Sequence, residues 1–377
     1  MNPALGTIAP SIIRALHARK RPGDVDFSLG EPTLRPDVRP FEAATAWVRD
    51  HGCPYTPNAG TAELRELVAA YHGFPGMAAA ANVCVTVGSE EAIYLAIKTL
   101  LDPAVDECLV VEPAYLAYPK LAALEGIRTR AVALDAEDGF RPDAAAVLAA
   151  LRPETRLVVL ASPCNPTGRI WPEAELRALA DGLASRPGAP VWVLSDEVYR
   201  ELYYTAAPPV SIATLYPHTL VAGSLSKSNA LTGLRLGWLV GPADAIAGAV
   251  KVHALVNTAA STFADRVAVE LFREPGALAA HRPLYAEQRA LLLDLLREAR
   301  IAHVEPEGAF YCMVRLPERL AGDSLAAAER LLDETRVIAV PGTAFGPAGE
   351  GWLRLSWVAA PDDLRRGIRA IGEFFAG

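Results

Sequence analysis

Strand and helix patterns alternate through the first two thirds of this sequence, and this alternation constrains the fold more than any other feature. Helical patterns separate short apolar or β-branched runs that begin near residues 83, 108, 128, 157 and 191. Strands that alternate with helices on this scale form a largely parallel sheet. The sequence therefore predicts an α/β domain with a mostly parallel sheet flanked by helices.

Polar residues follow the predicted strands at the points where the strands end. They are Gly88 and Ser89, Tyr115, Asn165, Asp196, and the turn from Ser224 to Lys227. In open sheets of this kind the functional residues collect at the carboxyl ends of the strands. We therefore expect these residues to form one site.

A different pattern begins after Arg235, with three helices followed by short strands near residues 303, 309–316, 336–340 and 352–357. This order is typical of an α+β unit with a smaller sheet. We expect a large domain over residues 36–274 and a small domain formed by residues 1–35 and 275–377.

Composition excludes several functions. Of the 377 residues, 51% are hydrophobic and 21% charged, as in ordinary globular proteins, and the formal net charge of -8 argues against nucleic acid or an anionic membrane as a partner. The five cysteines are scattered without a CxxC motif, which is typical of reduced thiols. With neither a signal peptide nor an apolar stretch of membrane-spanning length, a cytoplasmic protein is expected.

The turn Ser224-Leu-Ser-Lys227 carries the most informative lysine. A lysine is ordinarily a solvated surface charge, but this one lies between two apolar runs, with Arg235 eight residues further on. Such an amine must be paired or have a lowered pKa, and a neutral amine attacks aldehydes. Two serine hydroxyls and an arginine nearby suit a phosphate. An aldehyde-binding lysine beside a phosphate site indicates pyridoxal phosphate.

Together these segments resemble the aspartate aminotransferase family, which belongs to fold type I of the pyridoxal phosphate enzymes. The resemblance extends from Gly30-Glu-Pro to Arg354-Leu-Ser, and its motifs include Asn165-Pro-Thr-Gly and the Lys227 turn. Each motif alone can be a structural loop. Their occurrence together in the family order is specific, and it implies an enzyme that exchanges an amino group between an L-amino acid and a 2-oxo acid.

The resemblance implies a role for each residue around the cofactor ring. Lys227 would carry the cofactor as a Schiff base and later move a proton, and Asp196 would face the pyridine nitrogen. Tyr199 and Asn165 would bind the ring hydroxyl, and Tyr115 would stack on the ring. Asp196 and Asn165 can alternatively serve as turn or cap residues, and Tyr115 as plain core.

The resemblance also implies a phosphate site at the start of the helix after Gly88, where backbone N–H groups favour an anion. The residues that would form it are Ser89, Glu90, Ser224, Ser226 and Arg235. Only the backbone of Glu90 would point inwards, because a carboxylate beside a dianion is unfavourable. Tyr55 matches the family tyrosine that reaches the phosphate from a partner subunit, which implies a homodimer with shared sites.

Arg354 lies in an apolar strand, where an unpaired charge is costly. By resemblance it would bind the α-carboxylate of the substrate as a bidentate partner, together with the backbone of Gly30. A structural salt bridge is the alternative.

Two other functions remain open. A pyridoxal phosphate-dependent lyase or synthase would use the same scaffold, because fold and cofactor do not determine the reaction. A non-enzymatic regulator is disfavoured by the intact Lys227 and by the absence of an extra N-terminal helical domain.

A dicarboxylate substrate needs a second cation besides Arg354. The candidates are Arg14, Arg35 and Arg39, and none lies in a motif that marks such a role. We expect neutral or aromatic side chains to be accepted at least as well as aspartate.

Overall fold

The computed structural model describes Gly6, Ile8 and residues 10–377. Its α-helices are α1 (Ile12–His17), α2 (Arg39–His51), α3 (Ala62–His72), α4 (Ser89–Leu100), α5 (Ala117–Leu124), α6 (Ala144–Ala150), α7 (Glu173–Ala184), α8 (Ala243–Val256), α9 (Thr262–Arg273), α10 (Arg282–Glu298), α11 (Ser324–Thr335) and α12 (Pro361–Ala376). Its strands are β1 (Val25–Asp26), β2 (Val83–Thr86), β3 (Glu107–Glu112), β4 (Arg128–Ala133), β5 (Thr155–Ala161), β6 (Trp192–Asp196), β7 (Thr219–Ser224), β8 (Gly237–Val240), β9 (Tyr311–Arg315), β10 (Val337–Ile338), β11 (Val340–Pro341) and β12 (Trp352–Ser356).

Seven strands form the large sheet, in the order β2-β8-β7-β6-β5-β3-β4. Six of them run in one direction, and β8 runs antiparallel to both of its neighbours. The predicted α/β fold with a mostly parallel sheet is therefore confirmed. The connection from β7 to β8 holds no α-helix, and β8 returns antiparallel beside β7.

Helices cover both faces of this sheet. On β2, Val83 and Val85 pack with residues of α3 and α9, whereas Cys84 packs on the other face with residues of α4 and α8. On β5, Val158 and Leu160 pack against α7. Leu157 and Val159, which alternate with them, face α4. Because both faces are buried, these strands contain continuous apolar runs, at 83–85 in β2 and 157–161 in β5.

A second, antiparallel sheet has the order β11-β12-β9, and β1 pairs with β10 beside it. Helices α10, α11 and α12 pack on these strands around one hydrophobic cluster, which includes Phe27, Tyr285 and Trp357. This cluster draws its residues from both ends of the chain. We propose on that basis that residues 1–35 and 275–377 form the small domain and residues 36–274 the large one.

Some elements begin later than their sequence patterns predict. The helix expected from about residue 276 begins at Arg282, because Gly276 takes a left-handed φ of 77° before a short 3-10 turn. The strand expected from residue 234 begins at Gly237, because Arg235 has a φ of 54°. Near residue 303 there is one isolated bridge, from His303 to Val314, instead of a strand.

Among the residues that the structure describes, none of the helices has the length and apolar character needed to span a bilayer.

Candidate active site

The carboxyl ends of the central strands lie side by side at one edge of the large sheet. The register pairs Ala161 of β5 with Asp196 of β6, and Asp196 with Ala222 of β7. The segments after β5 and β7 carry Asn165 and Lys227. These residues are far apart in sequence, and the parallel strands bring their loops to the same edge.

Lys227 is partly buried, and its Nζ donates a hydrogen bond to the carbonyl oxygen of Gly30 at 2.7 Å. Across the described part of the chain, no carboxylate oxygen lies within 4.0 Å of this amine. Burial and the nearby charge of Arg354 lower the pKa of the Lys227 amine to about 8, against the opposing charge of Asp196. A large fraction of the amine is therefore neutral and nucleophilic in mildly alkaline solution.

Asp196 ends β6 as a buried carboxyl group. Its Oδ2 accepts a hydrogen bond from the hydroxyl of Tyr118 at 2.6 Å, and its Oδ1 accepts one from the backbone N–H of Val198 at 3.2 Å. Burial raises the pKa of the Asp196 carboxyl, and the Tyr118 hydrogen bond partly opposes this. Within residues 10–377 no cationic nitrogen lies within 4.0 Å of it. A buried carboxylate in this position is stabilised by a cationic ligand.

Tyr118 is a functional candidate that the sequence reasoning missed. Its side chain on α5 is almost completely buried, and its ring meets that of Tyr115 edge to face at 5.7 Å. The spacing of three residues between two tyrosines at a helix start was the available signal, since it places both on one side. The sequence prediction used Tyr115 alone.

Arg354 on β12 is a buried cation without a counter-ion. It is 2% exposed, and its Nη1 donates to Asn165 Oδ1 at 3.0 Å while its Nη2 donates to the carbonyl oxygen of Ser28. The rings of Tyr311 and Phe345 lie 4.2 and 4.8 Å from the guanidinium carbon. Its Nε has no hydrogen-bond partner, and the described residues place no carboxylate within 4.0 Å. The described residues therefore do not form the structural salt bridge that was the alternative role for Arg354.

We refer to Arg354, Asn165, Tyr311 and Phe345 as the arginine clamp. Burial lowers the pKa of Arg354, yet a guanidinium remains charged in proteins. A buried charge of this kind is stabilised when an anion binds to it. The clamp is therefore suited to a carboxylate.

Tyr199 is buried, and its hydroxyl lies 2.8 Å from the hydroxyl of Tyr311 on β9. The Tyr311 side chain also crosses Gly30 so closely that a Cβ atom at this glycine would overlap the Tyr311 hydroxyl. Tyr311 was not predicted, because in sequence it is one apolar-type residue in an apolar strand.

Backbone N–H groups and an arginine meet where α4 begins. Gly88 has a φ of 79°, and a Cβ atom there would lie 2.5 Å from Arg235 Nη2. A Cβ atom at Gly237 would lie 2.6 Å from the backbone nitrogen of Ser89. The two glycines therefore leave room for Arg235 and the first N–H groups of the helix to lie side by side, and a helix start of this kind favours an anion.

Ser224 and Ser226 lie in the turn that ends at Lys227. The Ser224 Oγ lies 2.7 Å from Ser226 Oγ and accepts a hydrogen bond from the Ser226 N–H at 3.0 Å. Both serines are buried, whereas Arg235 is exposed and forms no ion pair in the described structure. We call this second region the glycine cup; its members are Gly88, Ser89, Ser224, Ser226, Arg235 and Gly237.

The remaining predicted residues lie at the edge of the candidate site or outside it. The side chain of Glu90 is exposed, so its backbone alone belongs to the start of α4. Tyr115 is half-buried, and burial raises the pKa of its phenol, with the charges of Glu90 and Asp196 acting in the same direction. Tyr55 is 87% exposed and is not brought to the site within one chain.

The three candidate cations for a distal carboxylate lie on the surface. Arg39 forms an ion pair with Asp37 at 2.5 Å, whereas Arg14 and Arg35 are exposed. Of the three, Arg14 is close enough to Tyr115 to influence the pKa of its phenol. None of them is held in the cleft by a buried hydrogen bond in the described part of the chain.

The site thus offers a buried carboxylate, a buried guanidinium and a nucleophilic amine, with an open anion-binding cup at one end. Each buried charge lacks an ionic partner of its own. This arrangement can bind a ligand that is cationic at one point and anionic at two others, and it can attack a carbonyl carbon with Lys227.

Comparison with known proteins places the chain among enzymes. Residues 50–371 match the family described as "Aminotransferase class I and II". An aspartate aminotransferase of Pyrococcus horikoshii is 32% identical over 98% of this chain and 96% of its own. An arginine–pyruvate transaminase of Pseudomonas aeruginosa is 33% identical over 92% and 88%. The solved aspartate aminotransferase of Thermus thermophilus with maleate superposes with a TM-score of 0.92 at 32% identity, covering 99% of both chains.

Proposed function

The chain belongs to the class I and II aminotransferases and transfers an amino group between an amino acid and a 2-oxo acid, and from this premise we propose that it does so with pyridoxal 5'-phosphate bound at Lys227. The observation that carries the proposal is the pair of buried, opposite charges, Asp196 and Arg354, which both lack an ionic partner within 4.0 Å in the described structure. A protonated pyridine nitrogen complements Asp196, and an amino-acid carboxylate complements Arg354.

The glycine cup fits the phosphate of this cofactor. A phosphate needs several N–H donors and a cation, and the cup supplies the first turn of α4 and Arg235. Side chains at Gly88 or Gly237 would fill the space that such a group needs. We therefore assign the phosphate-binding role to Ser89, to the backbone of Glu90, and to Ser224, Ser226 and Arg235.

When bound, the cofactor supplies an aldehyde for the amino group and a ring that accepts electrons. Lys227 performs the proton transfers: its neutral Nζ removes the proton from Cα of the substrate and returns a proton later. A pKa of about 8 suits both directions near neutral pH. Asp196 keeps a positive charge at the ring nitrogen, because its buried carboxylate is stabilised by that charge.

The substrate is oriented by the clamp and the residues around it. Arg354 binds the α-carboxylate, with Asn165 fixing one edge of the guanidinium at 3.0 Å. Gly30 contributes its backbone at the same end and holds Lys227 through its carbonyl oxygen. Tyr199 and Asn165 would hold the ring hydroxyl of the bound cofactor, and Tyr115 would pack on its ring.

Borohydride reduction tests the cofactor assignment. Saturating the chain with pyridoxal phosphate should give a yellow protein, and reduction should then fix the cofactor on the peptide that contains Lys227. Peptide mapping by mass spectrometry distinguishes this peptide from that of exposed Lys251, the matched control. Recovery of the label on another lysine, or of no label at all, excludes the assignment.

The relatives described above are named as aminotransferases or transaminases, which favours transamination over the lyase and synthase chemistry that the same scaffold supports. Product analysis separates the two: transamination gives one 2-oxo acid for each amino acid consumed and requires an acceptor 2-oxo acid.

We propose a homodimer in which Tyr55 reaches the phosphate of the partner subunit. Tyr55 and Leu255 are 87% and 89% exposed, and hydrogen bonds join the loops 54–60 and 258–262 that follow or contain them. Exposed apolar residues of this kind mark interfaces. A surface tyrosine that contacts no site within its own chain therefore fits a site in a second copy.

Subunit mixing tests the sharing of sites. A Tyr55→Phe chain mixed with a Lys227→Ala chain should regain activity, because the heterodimer then holds one complete site. Mixing the double variant with the unchanged chain provides the reference. Absence of rescue after subunit exchange has been demonstrated would exclude a shared site.

For the substrate we propose an amino acid with a neutral or aromatic side chain, alongside glutamate as a possible common donor. The candidate cations are exposed or already paired, so no arginine is held ready for a distal carboxylate in the described structure. The values of kcat/KM for aspartate, alanine, methionine and phenylalanine with one 2-oxo acid provide the test. A preference for aspartate above about a hundredfold, roughly 2.7 kcal/mol, contradicts the proposal.

We also propose that the protein works in the cytoplasm. All five cysteines are free thiols, and three of them are buried. Free thiols persist in a reducing compartment. Fractionation of the source cells with a specific antibody provides the test.

A further inference from the structure

Tyr311 is the one buried side chain that contacts both Arg354 and Tyr199 among the described contacts. Its ring faces the guanidinium at 4.2 Å, and its hydroxyl lies 2.8 Å from that of Tyr199. Tyr311 is 1% exposed, so water replaces neither contact. Tyr311 therefore joins Arg354 of the proposed carboxylate site to Tyr199 of the proposed cofactor site.

The register of the small sheet explains how Tyr311 reaches Arg354. In the antiparallel pair β12–β9, Arg354 lies opposite Met313 and Ser356 lies opposite Tyr311. Tyr311 and Arg354 are therefore diagonal neighbours on the same face, at a separation that an aromatic ring can span. Two strands of one sheet hold the ring and the guanidinium in a fixed relation.

The Tyr311 hydroxyl also lies against the backbone of Gly30, where it occupies the space of a Cβ atom. The carbonyl oxygen of Gly30 in turn accepts the hydrogen bond from Lys227 Nζ. Tyr311 therefore adjoins the segment that holds the reactive amine, in addition to the clamp and Tyr199.

A purely structural role does not account for these contacts. Tyr285 belongs to the same hydrophobic cluster and is equally buried, and its hydroxyl has no hydrogen-bond partner. The Tyr311 hydroxyl, in contrast, is paired with a residue of the cofactor site. The Tyr311 ring also lies on a charge that lacks a carboxylate partner, where a cation–π contact is strongest because the charge is desolvated.

We infer that Tyr311 is a positioning residue for transamination, whose ring orients Arg354 for the substrate carboxylate and whose hydroxyl orients Tyr199. The inference rests on the proposed function, because it uses the roles assigned there to Arg354 and Tyr199. The two halves of the inference are separable: Tyr311→Phe removes the hydroxyl and keeps the ring, whereas Tyr311→Leu removes both.

The ring is tested by the binding of a carboxylate that has no amino group. Isothermal calorimetry with 3-phenylpropionate is carried out on the purified chain before and after saturation with pyridoxal phosphate. We expect Tyr311→Leu to weaken binding about tenfold. Tyr311→Phe and the matched control Tyr285→Phe should change the dissociation constant less than about threefold, because the ring over Arg354 is retained. Equal binding by Tyr311→Leu and Tyr311→Phe overturns this half.

The hydroxyl is tested by a double-mutant cycle in the cofactor-loaded protein. The readout is the pH midpoint of the near-visible absorption of the bound cofactor, measured in Tyr311→Phe, Tyr199→Phe and the double variant. We expect Tyr311→Phe to move the midpoint by about half a unit or more, and to have no further effect when Tyr199 is already phenylalanine. The same shift in both backgrounds, or no shift in either, overturns this half.

Failure of the proposed function gives a different experimental result from failure of the inference about Tyr311. If borohydride fixes no cofactor on Lys227 in the unchanged protein, the cofactor assignment fails, while calorimetry on the cofactor-free chain still reports on the ring. Circular dichroism melts of all variants are compared with Tyr285→Phe. If Tyr311→Leu does not fold, Phe345→Leu removes the other ring over Arg354, and unchanged binding by that variant overturns the role of the rings.

Discussion

The glycine cup and the arginine clamp are both suited to anions, yet they are built in opposite ways. The cup consists of backbone N–H groups at the start of α4 and an exposed arginine, Arg235. The clamp consists of a buried arginine, Arg354, held by side chains and a carbonyl oxygen from distant parts of the chain.

The two regions differ in the free energy of holding the arginine charge when no anion is bound. The charge of Arg235 remains hydrated, so the cup needs no compensating anion to be stable. The charge of Arg354 is removed from water, and among the described residues it is contacted by two rings, an amide oxygen and a carbonyl oxygen but by no carboxylate. A carboxylate therefore gains more from the clamp than a phosphate gains from Arg235, and salt screens the clamp less.

The largest effect is expected at the clamp. Replacing Arg354 with lysine keeps the charge but removes the planar pair of donors, so kcat/KM for alanine should fall about a thousandfold. The dissociation constant of pyridoxal phosphate should stay unchanged, because Arg354 is assigned to the substrate carboxylate and not to the cofactor. Arg235→Lys is the matched control and should lose far less activity at saturating cofactor. Equal losses in the two variants would show that burial does not distinguish the regions.

The pKa of Lys227 is sensitive to the arginines of both regions. Its pKa of about 8, instead of 10.5, makes the neutral fraction of the amine at pH 7 a few hundred times larger than for a surface lysine. Labelling of the cofactor-free protein with an amine reagent should therefore show a midpoint near pH 8 for Lys227, and exposed Lys251 is labelled in parallel as the control for the reagent.

The same labelling compares the two arginines. Both positive charges lower the pKa of Lys227, and Arg354 has the larger effect. Removal of a positive charge raises the midpoint, so Arg354→Gln should raise it by about one unit and Arg235→Gln by a few tenths. The reverse order contradicts the assignment of Arg354 as the buried and Arg235 as the screened charge.

A smaller effect is expected at the cup. Arg235→Gln should weaken pyridoxal phosphate binding about tenfold at low salt and less at high salt, because an exposed charge is screened. Equilibrium titration of the cofactor-free protein at two ionic strengths provides the measurement. A loss that does not depend on salt would indicate that Arg235 becomes buried in the assembled protein.

The smallest effect is expected at Tyr118, which lies in neither region. Tyr118→Phe removes the hydrogen bond to Asp196 Oδ2, and we expect kcat to fall about fivefold. The pKa of Asp196 should rise, because that hydrogen bond stabilises its ionised form. The loss of kcat should therefore grow as the pH falls, and a pH–rate profile measures this. A loss that is constant with pH contradicts the role of Tyr118 towards Asp196.

The cup was more accessible to sequence reasoning than the clamp. One segment between two apolar runs contains Ser224, Ser226, Lys227 and Arg235. Its local pattern and chemistry therefore identify these residues together. The clamp was found only in part. Arg354 is visible as a charge in an apolar strand, but Tyr311 and Phe345 look like ordinary core residues in the sequence. The register of the small sheet places Tyr311 over the guanidinium, and the 3-10 turn Gly342–Phe345 places Phe345 there.

The fold, like the site, could be predicted from the sequence only in part. Strand–helix alternation predicts the parallel sheet, because the connections between successive strands from β2 to β7 are long enough for crossovers. The order of the strands is not a local property: β2 pairs with β8 and with no other strand. The late start of β8 follows from the left-handed backbone of Arg235, which the apolar run alone does not reveal.

The edge position of β2 determines when the cup forms during synthesis of the chain. Val83 pairs with Val240, so β2 joins the sheet only after β3 to β7 have been translated and β8 has emerged from the ribosome. The start of α4 and Arg235 come together at that moment, because both flank this strand pair. Contacts between such distant segments form slowly. On the proposed function, the cup is expected to bind the cofactor only after β8 has been synthesised, so a nascent chain that ends before β8 should not bind it.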